Sequence, residues 1–376
     1  MKYSLFSAML LGLACLSGAS CVRNSAGSSV GEGGDTVTVR SDLLTLVDHD
    51  GYSVATVRDP WDSTRVMATY LLVDRDVDEE NLPQAGNAVV LRVPLEKSLV
   101  YSGVHGGAVE LLGEAERIAA VADGSYFTNP VLRKMIDGGR IADVGNSMSP
   151  SVERIVEIEP DAILTSPYQN SGHGAIESLA IPIVEMADYM ESTPLGRAEW
   201  IKFIGRLYGE RAKSDSIFAA VVGEYGRLRA VGRKAAEHPV VLVEQPVNGV
   251  WALPGGGSYM ARMIADAGGV YPWAQVGGKG SIEQDPAAVL DKAENADFWF
   301  IRTYGALTLD GLKSNNPLNG RFRAAESGGV YVCDTSVSPL YDEFPFMPHL
   351  LLADYVAILH PSLGMDSVRY YRRAVR

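Results

Sequence analysis

At 376 residues the chain is long enough for two packed domains, and 47% hydrophobic content with 8% aromatics describes a globular protein with a well-supplied core. Its formal charge of −13 opposes sequence-independent attachment to nucleic acid or anionic lipid, because both demand positive surface.

The N-terminal stretch MKYSLFSAMLLGLACLSGASC places Lys2 before an apolar run from Leu5 to Leu16, followed by Ser17-Gly18-Ala19-Ser20 and Cys21. That order is an export signal over residues 1–20: the run is short for a membrane span and the small residues suit a peptidase. Cys21 directly after them resembles a bacterial lipobox, in which the thiol is lipidated and becomes the mature N-terminus. Gly18 stands where that pattern has Leu, and plain secretory cleavage nearby is the alternative. With Cys15 removed and Cys21 lipidated, Cys333 is left alone and no intramolecular disulfide can form. Cys333 ends the run Val330-Tyr331-Val332 with no base beside it, which reads as a buried structural thiol. Residues 21–35 are rich in Gly and Ser and read as a flexible tether.

From 36 to 100 the pattern is β-rich, with strands expected at Thr36–Arg40, Ser53–Val57, Arg65–Val73 and Ala88–Val93 between DHDG, RDPWD and NLPQAGN turns. A β/α alternation follows. Strands are expected at 98–101, 117–121, 162–164 and 182–184, with helices near 107–112 and 151–159. The second of these helices is predicted to be capped by Ser151, to be stopped by Pro160, and to bury Val152, Ile155, Val156 and Ile158. A helical tract then runs from Pro194 to Ala236, with Thr193 as its cap and a break at Gly205 and Gly209. The alternation resumes at Pro239 and continues to the helix at His349–Leu359. The fold class predicted is α/β: two Rossmann-like lobes joined by a long helical connector, with an N-terminal β-rich extension. The boundaries are 36–192 for the N-terminal lobe with its extension, 193–236 for the connector and 237–376 for the C-terminal lobe.

Five stretches carry a resemblance: SPSVERIVEIEPDAIL, PLGRAEWIKFIGRLYG, WALPGGGSYMARMIADAGG, AVLDKAENADFWF and PHLLLADYVAILHPSL. In order and spacing, over most of residues 97–363, the chain resembles class III substrate-binding proteins of bacterial ABC importers, which serve iron–siderophore, haem and cobalamin uptake. The lipobox, tether and β-rich extension resemble lipoprotein versions from the Bacteroidetes. The resemblance implies a monomeric, non-enzymatic, lipid-anchored receptor facing the periplasm. It would have no intrinsic cofactor, would carry an iron chelate, cobalamin or haem, and would dock on a membrane permease. It also implies that Glu153, in the first turn of its helix, pairs with an Arg of the permease. A solvated acid favoured by the helix dipole is the plain reading of the same residue. On the other lobe Ala287 stands where the partner Glu is expected, leaving Asp285 or Glu283 as substitutes.

Ligands in open α/β sheets sit off the carboxyl ends of strands, and aromatic walls suit a large flat ligand. Strand-end and loop positions therefore nominate Tyr101, Ser102, His105, Tyr126, Ser147, Tyr168, Trp251, Ser258, Tyr259, Tyr304 and Tyr341. Each has a packing reading beside the binding one. His105 could ligate haem iron or corrinoid cobalt, or serve as a hydrogen-bonded loop residue. The six histidines form neither a His-rich loop nor an HxxxH pair, which opposes a site for bare zinc or manganese. An extracytoplasmic hydrolase is disfavoured because no Gly-x-Ser-x-Gly elbow occurs. A surface interaction module fits the tether, but the residues after Cys21 are not an acidic run.

Overall fold

The computed structural model describes residues 34–78, 80, 84–365 and 368–375, so the signal segment, Cys21 and most of the tether lie outside the described residues. The chain forms two α/β lobes joined by helices, with a strand-built extension at the N-terminal side, as the sequence pattern predicts.

The extension is a five-stranded sheet of β1 (Asp35–Thr36), β2 (Leu44–His49), β3 (Tyr52–Arg58), β4 (Val66–Asp74) and β5 (Val89–Val93), in that order. All pairings are antiparallel except β4 with β5. Leu44, Leu46, Val57, Tyr70 and Leu72 on its inner face share one core with Trp200, Phe203 and Leu207 of the connector and with Ala108 and Val109 of the N-terminal lobe. The extension is therefore packed into the body.

The strand expected at Thr36–Arg40 stops at Thr36, and β2, which the sequence pattern did not signal, takes up the pairing. The physical reason is a pair of buried carboxylates. Glu199 accepts the backbone N–H groups of Val39, Arg40 (2.7 Å) and Ser41 (2.9 Å). Glu191 accepts those of Asp42 (2.9 Å) and Leu43 (3.1 Å), together with the indole N–H of Trp200 and the Ser41 hydroxyl. Both carboxylates are fully buried. Backbone N–H groups converging on an anion carry most of its hydrogen bonding, with Lys202 Nζ 3.4 Å from Glu199 as a cation beside the pair, and the same bonds pull the chain out of a strand.

The N-terminal lobe sheet is all parallel, in the order β10 (Ile183–Glu185), β9 (Ala162–Thr165), β6 (Ser98–Val100), β7 (Ile118–Val121), β8 (Ala142–Asp143). Its helices are α1 (Gly103–Leu111), α2 (Pro130–Asp137) and α3 (Val152–Ile158). In α3 only Ile155 is buried. Val152 and Ile158 are half-buried and Val156 is 53% exposed. Positions 152, 155 and 158 recur at three-residue spacing on one stripe, whereas Val156 lies about 100° round the helix and faces out, which corrects its predicted burial.

The connector comprises α4 (Pro194–Ala198), α5 (Ile201–Leu207) and the 23-residue α6 (Arg211–Arg233). Thr193 caps α4 through the Gly196 N–H, and Gly209, at φ +78°, makes the break before α6. In the C-terminal lobe β11 (Val241–Val243), β14 (Phe298–Thr303) and β15 (Val330–Asp334) are parallel, and β16 (Arg372–Arg373) closes that sheet antiparallel. A separate pair, β12 (Trp251–Pro254) and β13 (Ser281–Gln284), stands beside them. Around these lie α7 (Tyr259–Asp266), α8 (Pro286–Ala293), α9 (Leu309–Asn315), α10 (Arg323–Ser327), α11 (Leu340–Glu343) and α12 (Pro348–Leu359).

The lobes meet directly where α11 lies on α1. A Cβ at Gly107 would stand 2.5 Å from the Asp342 carbonyl oxygen, so glycine there is what permits the approach.

Glu199→Ala should leave three N–H groups of the 39–41 turn without an acceptor, lowering stability by on the order of 3–5 kcal/mol. Urea denaturation would measure the loss, and faster tryptic cleavage after the exposed Arg40 would locate it in the clamp.

Candidate functional site

A cavity of about 380 Å³ opens between the lobes. Val104, Tyr189 and Met190 line it from the N-terminal lobe, Arg197 from the connector, and Ser258, Tyr259, Lys279, Arg302 and Tyr341 from the C-terminal lobe. A larger hollow of about 470 Å³ lies beside Pro239, Asp297 and Gly329, at the amino ends of the C-terminal lobe strands. The inter-lobe cavity lies off their carboxyl ends, where open α/β sheets hold ligands, and is the candidate site.

Two arginines define its chemistry. Arg197 donates from Nε to Asp188 Oδ2 (2.9 Å) and from Nη1 to the Tyr259 hydroxyl (2.6 Å), and its guanidinium lies 4.9 Å over the Tyr259 ring. Asp188 is held from its other side by His105 Nε2 at 2.9 Å. Burial opposes both charges. Arg197 and His105 nevertheless hold the Asp188 carboxyl below its usual range, and Tyr259 and Asp188 hold the Arg197 guanidinium above its own. Arg302, at the carboxyl end of β14, repeats the scheme: its Nε donates to Glu244 Oε1 (2.7 Å) and its guanidinium stands 5.8 Å from the Tyr341 ring centre. Burial again works against the charge, and Glu244 outweighs it. Each arginine is thus fixed from behind by a carboxylate and flanked by a tyrosine ring. Lys279, on a glycine-rich loop, adds a third cation with its side chain 35% exposed. Such an arrangement offers oriented N–H and O–H donors to the anionic oxygens of a ligand.

Of the residues nominated from sequence, Ser258, Tyr259 and Tyr341 line this cavity, Ser258 also capping α7 through the Ala261 N–H. Tyr101, Ser147 and Tyr168 line a smaller cavity of about 160 Å³ in the N-terminal lobe, together with Met148 and His173. There burial, with Asp123 nearby, pushes the Tyr101 phenol up to about 12. Tyr126 and Tyr304, both two-thirds exposed, touch edge to face from opposite lobes, with ring centres 6.0 Å apart. Ser102 accepts the Val104 N–H as the cap of α1.

Two nominations are corrected. His105 is 2% exposed, with Nε2 fastened to Asp188 and Nδ1 buried without a partner among the described residues, so it supports the arginine from beneath and does not line the cavity. Trp251 is fully buried, stacked on Trp299 with its indole N–H on the Val243 carbonyl, because strand β12 turns that face into the core. The sequence reading missed Arg197, Arg302, Lys279 and Tyr189. Arg302 had a usable signal: it sits two residues before Tyr304 at the same strand end. At the surface Glu153 is exposed on α3, whereas Asp285 uses its carboxylate to cap α8 through the Ala287 N–H (2.8 Å).

Two α/β lobes bridged by helices, with a donor-lined cavity between facing strand ends, define a bilobal ligand-capture protein. The chain belongs to the periplasmic binding protein family, whose model matches residues 101–337, in agreement with the resemblance seen in its sequence. Two uncharacterized lipoproteins of Methanocaldococcus jannaschii are similar to it. One is 27% identical over 73% of this chain and 67% of its own, the other 25% identical over 77% and 76%. Among solved structures the fold is shared with a periplasmic haem binding protein from Pseudomonas aeruginosa (TM-score 0.59, 16% identity, 75% of this chain and 99% of that one). It is also shared with the triscatecholate siderophore binding protein from Bacillus subtilis complexed with ferri-bacillibactin (TM-score 0.57, 18% identity, 76% and 98%). No helix among the described residues is long and apolar enough to cross a membrane.

The α1–α11 contact beside the cleft has its own pH dependence. Asp342 is buried, and its carboxylate accepts from the Thr128 hydroxyl at 2.5 Å. The charged groups acting on it, Glu343 on α11 and Glu110 on α1, are both acidic. Burial, reinforced by these two, raises the carboxyl from 3.8 to about 6. Because the docked state holds the proton more tightly, the lobe contact should strengthen as pH falls from about 6 towards 4 and carry its full penalty above that window. Denaturation of Asp342→Asn and wild type across pH 4–8 should show the variant relatively more stable at neutral pH, by at most about 2–3 kcal/mol, with the gap closing in acid.

Proposed function

We propose that this chain is the substrate-binding component of an ABC importer, anchored through lipid on Cys21, and that its cleft captures an anionic ferric chelate of siderophore type. The observation that carries this reading is the convergence of Arg197, Arg302 and Lys279 on one cavity among Tyr189, Tyr259 and Tyr341. Catecholate and carboxylate oxygens around ferric iron carry net negative charge on a rigid, partly aromatic body. Guanidinium groups flanked by tyrosine rings complement both features. The siderophore complex of the Bacillus subtilis neighbour lends support from the same fold. Haem fits less well: the His105 imidazole is buried with Nε2 on Asp188 and does not line the cavity. Cobalamin, whose periphery is mostly uncharged amide, gives the arginines little to meet. In this reading the protein acts as a receptor, which its membership of the periplasmic binding protein family supports.

Purified protein titrated with a ferric tris-catecholate, with cobalamin and with haem should bind the ferric chelate tightest, followed by tryptophan quenching and visible absorption. Arg302→Ala should weaken that binding tenfold or more, because truncating one partner of a buried charged pair costs about 2–5 kcal/mol. Preference for haem or cobalamin would move the ligand assignment to that class.

Delivery requires docking on the permease, and Glu153, exposed at the outer end of the N-terminal lobe helix, is the proposed contact. With Asp285 engaged as a helix cap, Glu283, exposed on β13, is the freer acid of the other lobe. Glu153→Arg should leave chelate affinity intact and alter stability by no more than about 0.3–1 kcal/mol. Uptake in cells carrying the cognate transporter should fall through like-charge contact, and undiminished uptake would return Glu153 to the role of a surface acid.

A further inference from the structure

Three cation–carboxylate pairs surround the cavity, and they are not equivalent. Arg197–Asp188 and Arg302–Glu244 are closed, with side chains 7% and 1%, and 18% and 19%, exposed. Separating such pairs strands a charge away from water. The third pair, Lys279 with Asp42, is looser, with Nζ 3.6 Å from Oδ2 and side chains 35% and 52% exposed. Solvent-screened pairs of this kind hold only weakly, so a ligand can break this one.

Asp42 belongs to the N-terminal extension, outside the segment matched by the family model. It is nonetheless firmly placed. Its N–H donates to Glu191, Leu43 beside it does the same, and the Ser192 hydroxyl donates to its carboxylate. On the other side the backbone around Lys279 is pinned. Gly278 holds φ +104°, its carbonyl accepts from the Gly257 N–H (3.0 Å), and the Gly280 carbonyl accepts from the Gly255 N–H (2.8 Å). With both backbones fixed, the part free to move is the lysine side chain.

We propose that Asp42 is a specificity-determining residue contributed by the extension: it holds the Lys279 ammonium as an exchangeable counter-ion at the cavity, and a ligand gains Lys279 only by out-competing that carboxylate. This rests on the anionic-chelate reading of the cleft and adds a filter to it. Each of the three cations is matched by one carboxylate. A strongly negative ligand draws Lys279 inward, whereas a neutral one leaves it on Asp42. The extension thereby grades ligands by charge.

The test is a double-mutant cycle with Asp42→Asn, Lys279→Gln and the combined variant, using a trianionic ferric tris-catecholate and a neutral ferric tris-hydroxamate as probes. Asparagine keeps the backbone bond to Glu191 and an acceptor for Ser192, so the turn stays docked. Asp42→Asn should tighten the trianionic chelate by about two- to fivefold at low salt, leave the neutral chelate unchanged, and lose its effect in the Lys279→Gln background. High salt should erase the gain. If wild type binds the trianion and Asp42→Asn changes nothing, or changes it equally with and without Lys279, this inference fails while the cleft reading stands. If wild type binds neither chelate, the cleft reading fails and takes the inference with it.

Discussion

The guanidinium of Arg197 is the point on which the molecule turns. It projects from the first helix of the connector, is 6% exposed, and joins Asp188 of the N-terminal lobe to Tyr259 of the C-terminal lobe, with His105 of α1 behind the aspartate. Removing an arginine and an aspartate from water costs several kcal/mol for each ion, and only near-complete hydrogen bonding offsets that. The arrangement is therefore tolerated in one geometry. That geometry fixes how the lobes face each other and leaves the arginine beside the cavity, so the group that sets the architecture also forms a wall of the site.

Elsewhere the chain meets the same difficulty with backbone donors. Glu191 and Glu199 gather the N–H groups of the turn between β1 and β2, and Asp354 of α12 gathers those of Arg369, Tyr370 and Tyr371 at the C-terminal strand. These buried carboxylates bind the two ends of the described chain to the connector and to the C-terminal lobe. A frame of packed helices clamped this way resists bending more than a hinge of two or three strands, so the cleft is largely preformed. What remains adjustable is the α1–α11 contact, where Asp342 has no cation beside it among the described residues, and the half-buried Lys279. On the proposed function, ligand capture in such a frame would depend on side chains changing partners more than on lobes closing.

Much of this was legible in the chain itself. Apolar runs of strand length alternating with helical spacing, the Thr193-Pro194 cap and the glycine break before α6 determined the two lobes and their connector, because those signals act within a few residues and need no partner. Ser258, Tyr259 and Tyr341 could be nominated for the cleft by the rule that ligands lie off strand ends. What tertiary structure alone decided is which polar groups face one another: that His105 lies under Asp188, that Trp251 turns into the core, that Arg197, Arg302 and Lys279 from three distant segments line one cavity, and that a turn at residues 39–43 is captured by acids some 150 positions later. No local pattern encodes such pairings, since the burial that makes a charge require its partner exists only once the chain has folded.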